Sequence, residues 1–512
     1  MKYKYIVIIL IFCFSLFIRL ATLNQIGRTW DEPQFIEEGY RMVELFKAGD
    51  LNNSFFYTTY DHPPLIKYIF GITSYLDIKE TKPNGDVIFN YDYTYSRILS
   101  ATLFSIGVVM TVLLGWRLFS PFVGGISGVI LAMLPFSVGL SQLISAESLK
   151  IFIYPIAIYS ILLLVEKFSL KRAIVVGLII GIALQVKQSN GLLFLVLVGM
   201  LIIRYFSLGK KKRLGYIKSR IAGFFVVVVG SMLSFIALWP QAIFNLDKIY
   251  KIHDKFWGVE FSPKPWLITM SVPEVFFGRL IITPNFYYLV YFFISTPVVI
   301  LALFFVGIWK IVMSKNWKLY ILIIWFCVPF LLSLYSWRQH GLRYLIEIYP
   351  ALALISAIGF DSLASRLTTS LRNKALIFGL VIIYLFASLL YVKPYYLEYY
   401  NELVGGTGNV YRNNWFQIGW WGQGLREAGL YIINNSENDS EIGLAISPDH
   451  VLPRSENLIY SDFVESKNYD YVIVNHYHII RDGFDDSSIR ADYNLIYQVK
   501  ADGATLVYIY KK

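Results

Sequence analysis

A polytopic α-helical membrane fold with a small C-terminal α/β domain is predicted by three observations. The 512 residues are 56% hydrophobic and 17% aromatic, yet only 16% charged, against the roughly one quarter expected of a soluble chain. Long apolar runs recur along the first three quarters of the chain. Lys and Arg collect in the short loops between those runs.

The runs place about eleven membrane helices near 5–22, 97–116, 122–140, 149–165, 173–187, 190–205, 221–239, 286–311, 319–336, 343–360 and 375–392. Lys187-Gln188-Ser189-Asn190 interrupts what is otherwise one long run. The first run follows Lys2 and Lys4 and has no small-residue cleavage site after it, so a retained signal-anchor is expected. Basic residues 167–172, 210–220, 315–318 and 366–374 mark one side of the membrane, with Lys2 and Lys4. That side is assigned to the cytoplasm. Loops 23–96, 141–148, 240–285 and 337–342 then face outward, as does the segment after the last helix. The net charge of +11 is a topology signal on this reading, not a footprint for nucleic acid.

Residues 1–392 are expected to form the membrane domain and 393–512 an extracytoplasmic domain. In loop 23–96, Phe35, Ile36, Tyr40, Val43 and Phe46 recur at helical spacing after Pro33, which predicts an interfacial helix with its apolar face in lipid. In the C-terminal part, 425–433 reads as a helix, and 441–446, 469–474, 495–499 and 505–510 as strands. Cys13 and Cys327 lie in separate apolar runs and form no disulfide framework.

Chemistry concentrates at the outer ends of these runs. Asp31 and Glu32, in Trp30-Asp31-Glu32-Pro33, sit just beyond the first one. Adjacent carboxylates repel, so one can serve as a base or a cation can hold both; capping of the helix at Pro33 is the plainer alternative. Asp61-His62-Pro63-Pro64 offers oxygen and nitrogen ligands on a stiff segment for a divalent ion, or an imidazolium for a phosphate, or is a stiff turn with no ligand. Glu147 either faces the same cavity as Asp31 or caps the helix after Ser145. Arg97, Lys187, Arg338 and Arg343 stand on the outer side against the usual charge bias, where a lipid phosphate would hold them; snorkelling is the alternative. The aromatics at 394–400 and Trp415, Trp420 and Trp421 suit an interfacial belt or a sugar-stacking surface. P-loop, nucleophile-elbow, zincin and dinucleotide motifs are missing.

In order, several segments resemble the membrane glycosyltransferases of the GT-C fold, family 39 type, which include protein O-mannosyltransferases and aminoarabinose transferases. They are Trp30-Asp31-Glu32-Pro33, His62-Pro63-Pro64-Leu65 with Lys67-Tyr68, Tyr95-Ser96-Arg97, Glu147, Gln185-Val186-Lys187, Arg343-Tyr344-Leu345 with Tyr349-Pro350, and Asn401-Glu402-Leu403-Val404-Gly405-Gly406. Asp61-His62 differs from the Glu-Lys that precedes the double proline in aminoarabinose transferases. The resemblance implies a polyprenyl-phosphate sugar donor and an acceptor hydroxyl on a protein, lipid or envelope glycan. It implies Asp31 as general base, with Glu32 and Glu147 as further acids and an inverting displacement. Arg97, Lys187, Arg338 and Arg343 would receive the donor phosphate. Glu32, Asp61 and His62 are candidate ligands of a divalent ion, the one cofactor expected. A transporter or flippase of lipid-linked sugars and a non-catalytic scaffold are the competing readings.

Overall fold

A computed structural model describes residues 2–58, 62–245, 247, 273–334 and 338–512. Seven helices are long and apolar enough to cross a bilayer: Tyr5–Gln25, Thr94–Leu118, Ala146–Glu166, Gln188–Ser207, Lys210–Leu238, Arg343–Leu367 and Leu371–Val392. Two bent pairs bring the number to nine, Pro121–Met133 with Pro135–Ser141 and Tyr287–Ser295 with Val298–Ser314. The two remaining expected spans are helical but short, 17 residues in Leu170–Val186 and 14 in Tyr320–Ser333. All eleven expected runs therefore fall on helices, and the chain is a multi-pass membrane protein.

The bends have local causes. The first pair turns by 67° at Pro135, which has no amide proton to continue the ladder. Two side chains serve carbonyls left over at the bend. The Ser137 hydroxyl donates to Leu131 O at 2.9 Å, and the buried Arg19 guanidinium donates to Ala132 O at 3.3 Å. The second pair turns by 114° at Thr296-Pro297. The break at Lys187 is also present: Leu170–Val186 ends there, Lys187 is extended, and the Asn190 side chain donates to Ala183 O at 2.7 Å.

Loop 23–96 is largely built rather than draped on lipid. Helix Glu32–Lys47 buries Phe35, Ile36 and Met42, and it crosses helix Leu65–Ser74 at Gly39 and Gly71. A Cβ on Gly39 would come within 2.4 Å of Lys67 O, so this backbone contact requires glycine. The expected lipid-facing stripe is thus mostly covered by protein. Phe46 remains exposed at its end.

The C-terminal part holds a five-stranded sheet in the spatial order Ile459–Asp462, Glu441–Ala445, Tyr471–Asn475, Ala504–Lys511, Asn494–Ala501. Its first three strands are parallel and the last two pairings antiparallel. Ile459–Asp462 is an edge strand of four residues whose alternation is too short to read from sequence. Helix Leu425–Asn435 packs on the antiparallel half, buried through Leu425, Ala428 and Ile432. This unit sits on the membrane domain at the end where loop 23–96 emerges. Arg426 grips Asp92 through two hydrogen bonds of 2.8 and 3.1 Å, and the His450 ring meets the Trp30 ring edge-on at 5.2 Å.

Candidate active site

Asp31 and Glu32 begin the same helix but leave it in different directions, because successive helical residues point about 100° apart. Glu32 turns inward and is fully buried. Arg97 donates to both its oxygens, at 2.8 and 2.6 Å, and the amides of Ile144 and Thr29 add bonds of 3.0 and 2.9 Å. The rest of the Arg97 guanidinium is spent on the carbonyls of Ile26 and Gly27. This pair ties the first loop to the second long helix and to the Ser145 turn.

Asp31 turns outward. Its carboxylate accepts a hydrogen bond from Arg343 and keeps 25% of its surface exposed. The same guanidinium reaches Glu147, with Nε 3.5 Å from Oε1. Glu147 is buried and accepts from Lys187 at 2.8 Å. Two acids and two cations therefore form one chain: Asp31, Arg343, Glu147, Lys187. The break at residues 187–190 serves this arrangement, since it frees the Lys187 side chain from the helix face. Ser145 makes no capping hydrogen bond, so Glu147 is held by the cations rather than by a capping box.

Aromatic rings support the cations. The Arg343 guanidinium lies 3.8 Å over Trp421, and Lys187 Nζ lies 4.5 Å from the Tyr344 ring centroid. Trp420 stacks on Trp421, and His340 stacks on Trp420 at 4.4 Å. These tryptophans are buried, so their job here is to back the guanidinium. One turn further along the helix from Glu147, Lys150 pairs with Glu347 at 2.8 Å, both buried. This second pair locks the Ala146–Glu166 helix to the 343–348 turn. A lysine inside an apolar run was the available signal for it.

Glu274, outside the membrane helices, and Tyr287, at the start of one, fix the Arg343 turn. Glu274 accepts the His340 amide at 2.9 Å and the Tyr287 hydroxyl at 2.5 Å, and Tyr287 in turn accepts the Gly341 amide at 3.0 Å. Burial pushes the Glu274 carboxyl up to about 7. Burial likewise pushes Glu398 up to about 8; one of its oxygens accepts the Gly419 amide at 2.9 Å.

The remaining expected site residues fall elsewhere. Arg338 is buried and donates to Thr283 O at 3.2 and 3.1 Å and to Leu334 O at 3.2 Å. His62 packs edge-on against Phe35 at 5.3 Å and lies within electrostatic reach of Glu147. Asp61 lies outside the described residues. The oxygens of Glu32 are already filled by Arg97 and two amides, which does not suit a metal ligand. Among the described residues, no three His, Cys, Asp or Glu side chains converge as ligands would. Of the four expected phosphate-binding cations, the structure brings Lys187 and Arg343 together and commits Arg97 and Arg338 to other partners.

Residues 9–253 match the family model described as dolichyl-phosphate-mannose-protein mannosyltransferase. No curated protein matches the chain in sequence. Among solved structures, the chain is similar to ArnT from Cupriavidus metallidurans bound to undecaprenyl phosphate, with 14% identity, 98% of this chain and 97% of that chain covered, and a TM-score of 0.52. The apo state of the same protein gives 13% identity, coverage of 98% and 97%, and a TM-score of 0.50.

Proposed function

We propose that this chain, whose residues 9–253 match the mannosyltransferase family model, is a membrane glycosyltransferase of the GT-C fold that transfers a sugar with inversion from a polyprenyl-phosphate donor to an acceptor hydroxyl, with Asp31 as general base. The observation that carries this reading is the Arg343 guanidinium set between Asp31 and Glu147. The undecaprenyl phosphate bound to ArnT supports the donor class.

The site as described is charge-balanced, with two carboxylates and two cations. A donor phosphate arriving beside Arg343 and Lys187 adds negative charge and competes for the guanidinium. As Arg343 swings part of its hydrogen bonding to the phosphate, the Asp31 carboxylate is freed to accept a proton. The acceptor O–H then gives its proton to Asp31 while its oxygen bonds to the anomeric carbon from the far side. The anomeric carbon–oxygen bond to phosphate breaks, and the electron pair leaves with the polyprenyl phosphate. Arg343 and Lys187 hold that growing charge more tightly in the transition state than in the ground state. Glu147 remains charged between the cations and keeps them aimed. No step requires a metal ion.

The site faces away from the cytoplasm on this proposal, because the basic loops cluster at the other end of the bundle. Arg117, Glu166 and Lys318 meet there, at 2.6 and 2.7 Å. The C-terminal sheet is then extracytoplasmic, on the same side as the Asp31 site. The test uses the full chain in lipid nanodiscs with a labelled polyprenyl-phosphate sugar and cell-envelope acceptors. A product with the opposite anomeric configuration to the donor, together with free polyprenyl phosphate, supports the reading. Movement of the intact donor across the bilayer without transfer would replace it with a flippase.

A further inference from the structure

We propose that Trp30, with His450 of the C-terminal part, is the platform that holds the acceptor, and that the acceptor hydroxyl belongs to the sugar ring of an envelope glycan. The inference rests on Asp31 being the general base, since it names what that carboxylate deprotonates. The tryptophans at the site are of two kinds. Trp420 and Trp421 are buried behind Arg343 and have no open face for a ligand. Trp30 directly precedes Asp31 and is 55% exposed. Among the described residues, the other exposed tryptophan is Trp309, inside a membrane helix.

The main chain that carries Trp30 is held as firmly as its ring is free. The Thr29 amide donates to Glu32 at 2.9 Å, and the Arg28 side chain donates to Tyr91 O at 2.6 Å. The carbonyls of Thr29 and Asp31 accept the amides of Glu32 and Phe35 at 3.3 and 3.4 Å. The Trp30 carbonyl accepts from His450 Nε2 at 3.4 Å, while the His450 ring meets the indole edge-on. The loop bearing His450 is itself tied to the first external loop, because the Tyr91 hydroxyl donates to Val451 O. A fixed turn with an open indole is preorganised, so little order is lost when a ligand settles on it.

The surroundings decide the class of ligand. A sugar ring has a face of C–H groups and a rim of hydroxyls. The indole supplies a large, rigid apolar face for the first. His450 and the exposed Glu37 carboxylate, within electrostatic reach of each other, supply donors and acceptors for the second. A peptide docked through its backbone needs free main-chain groups along an edge, and here the carbonyls of residues 29, 30 and 31 are all taken. Lipid is equally ill suited. Asp449 and Arg454, exposed and paired at 3.0 Å, flank His450, and such charge is costly against hydrocarbon.

The experiment offers the full chain in nanodiscs a labelled polyprenyl-phosphate sugar and an envelope extract split into a protease-treated glycan fraction and a deglycosylated protein fraction. Label should enter the glycan fraction. Trp30→Ala should raise the half-saturating amount of that fraction about tenfold and that of the donor less than about twofold, and Trp30→Phe should recover most of the loss. Label in the protein fraction alone, an unchanged glycan half-saturation in Trp30→Ala, or equal losses for donor and acceptor overturns the proposal. Should Trp30→Ala fail to fold, His450→Ala takes its place, since His450 is exposed, and an undiminished acceptor affinity there is equally decisive. Absence of any transfer by the wild-type chain overturns the Asp31 reading itself, a result distinct from transfer that is indifferent to Trp30.

Discussion

Asp31 and Glu32 share a peptide bond but answer to different arginines. Asp31 meets Arg343 from a helix more than three hundred residues later, and Glu32 is sealed against Arg97. One carboxylate is left partly open to solvent and the other has none of its surface exposed. Their substitutions should therefore fail in different ways.

Asp31→Asn is expected to lower transfer by about a thousandfold, within the span usual for losing a general base. Membrane insertion and thermal midpoint should stay at wild-type values, because the Asp31 carboxylate is partly exposed and Arg343 is its one ion-pair partner among the described residues. Rates measured with purified protein and saturating donor check this, and near-normal turnover would remove Asp31 as the base.

Arg97→Ala should instead damage the fold. It strands the fully buried Glu32 carboxylate without its countercharge, a loss on the order of 3–5 kcal/mol for a broken buried pair. The measurable outcome is a lower thermal midpoint and poor recovery from the membrane. Glu32→Gln, which keeps the shape and the contact to the Thr29 amide, should be milder.

Arg343→Ala is expected to weaken donor binding by about tenfold to a hundredfold, the worth of a charge-assisted contact to phosphate. Acceptor affinity should change less than about twofold on the same argument. Separate titrations of donor and acceptor decide the point, and equal losses for both would refute it. Lys187→Ala should act in the same direction but less strongly, since the ammonium it removes is a point charge without the forked grip of a guanidinium.

Glu398 gives a pH prediction with a definite sign. Its carboxyl moves from 4.5 to about 8 on burial, so the folded chain holds a proton there that the unfolded chain releases earlier. The stability tied to that proton is complete below pH 4.5 and is lost as pH rises through about 8. Glu398→Gln should flatten the decline between those limits in thermal scans. A wild-type slope in the variant would mean that another group titrates.

Much of this architecture was legible from residue order. Eleven apolar runs fall on eleven helical segments, and the break at 187–190 was visible as a polar interruption. The bends were not, because Pro135 and Pro297 sit inside runs whose hydropathy does not change. The strand Ile459–Asp462 was hidden because four edge residues carry too little alternation. For the site, the sequence placed Asp31, Glu147, Lys187 and Arg343 at the outer ends of their runs, and the fold joins these four. Arg97 and Arg338 carried the same signal, but outward position does not reveal which charge already has a partner. Glu274 was missed because its role depends on Tyr287 and the His340 amide, which pairing information alone supplies.

The proline elbow between Pro121–Met133 and Pro135–Ser141 has an effect on geography. By turning the chain through 67°, it sets the course of the segment that leads on to Glu147. A straightened version of this segment would carry that acid away from Arg343 and Lys187. Ser137 and Arg19, neither of which is a member of the charged chain, thus hold it in register through the carbonyls they serve.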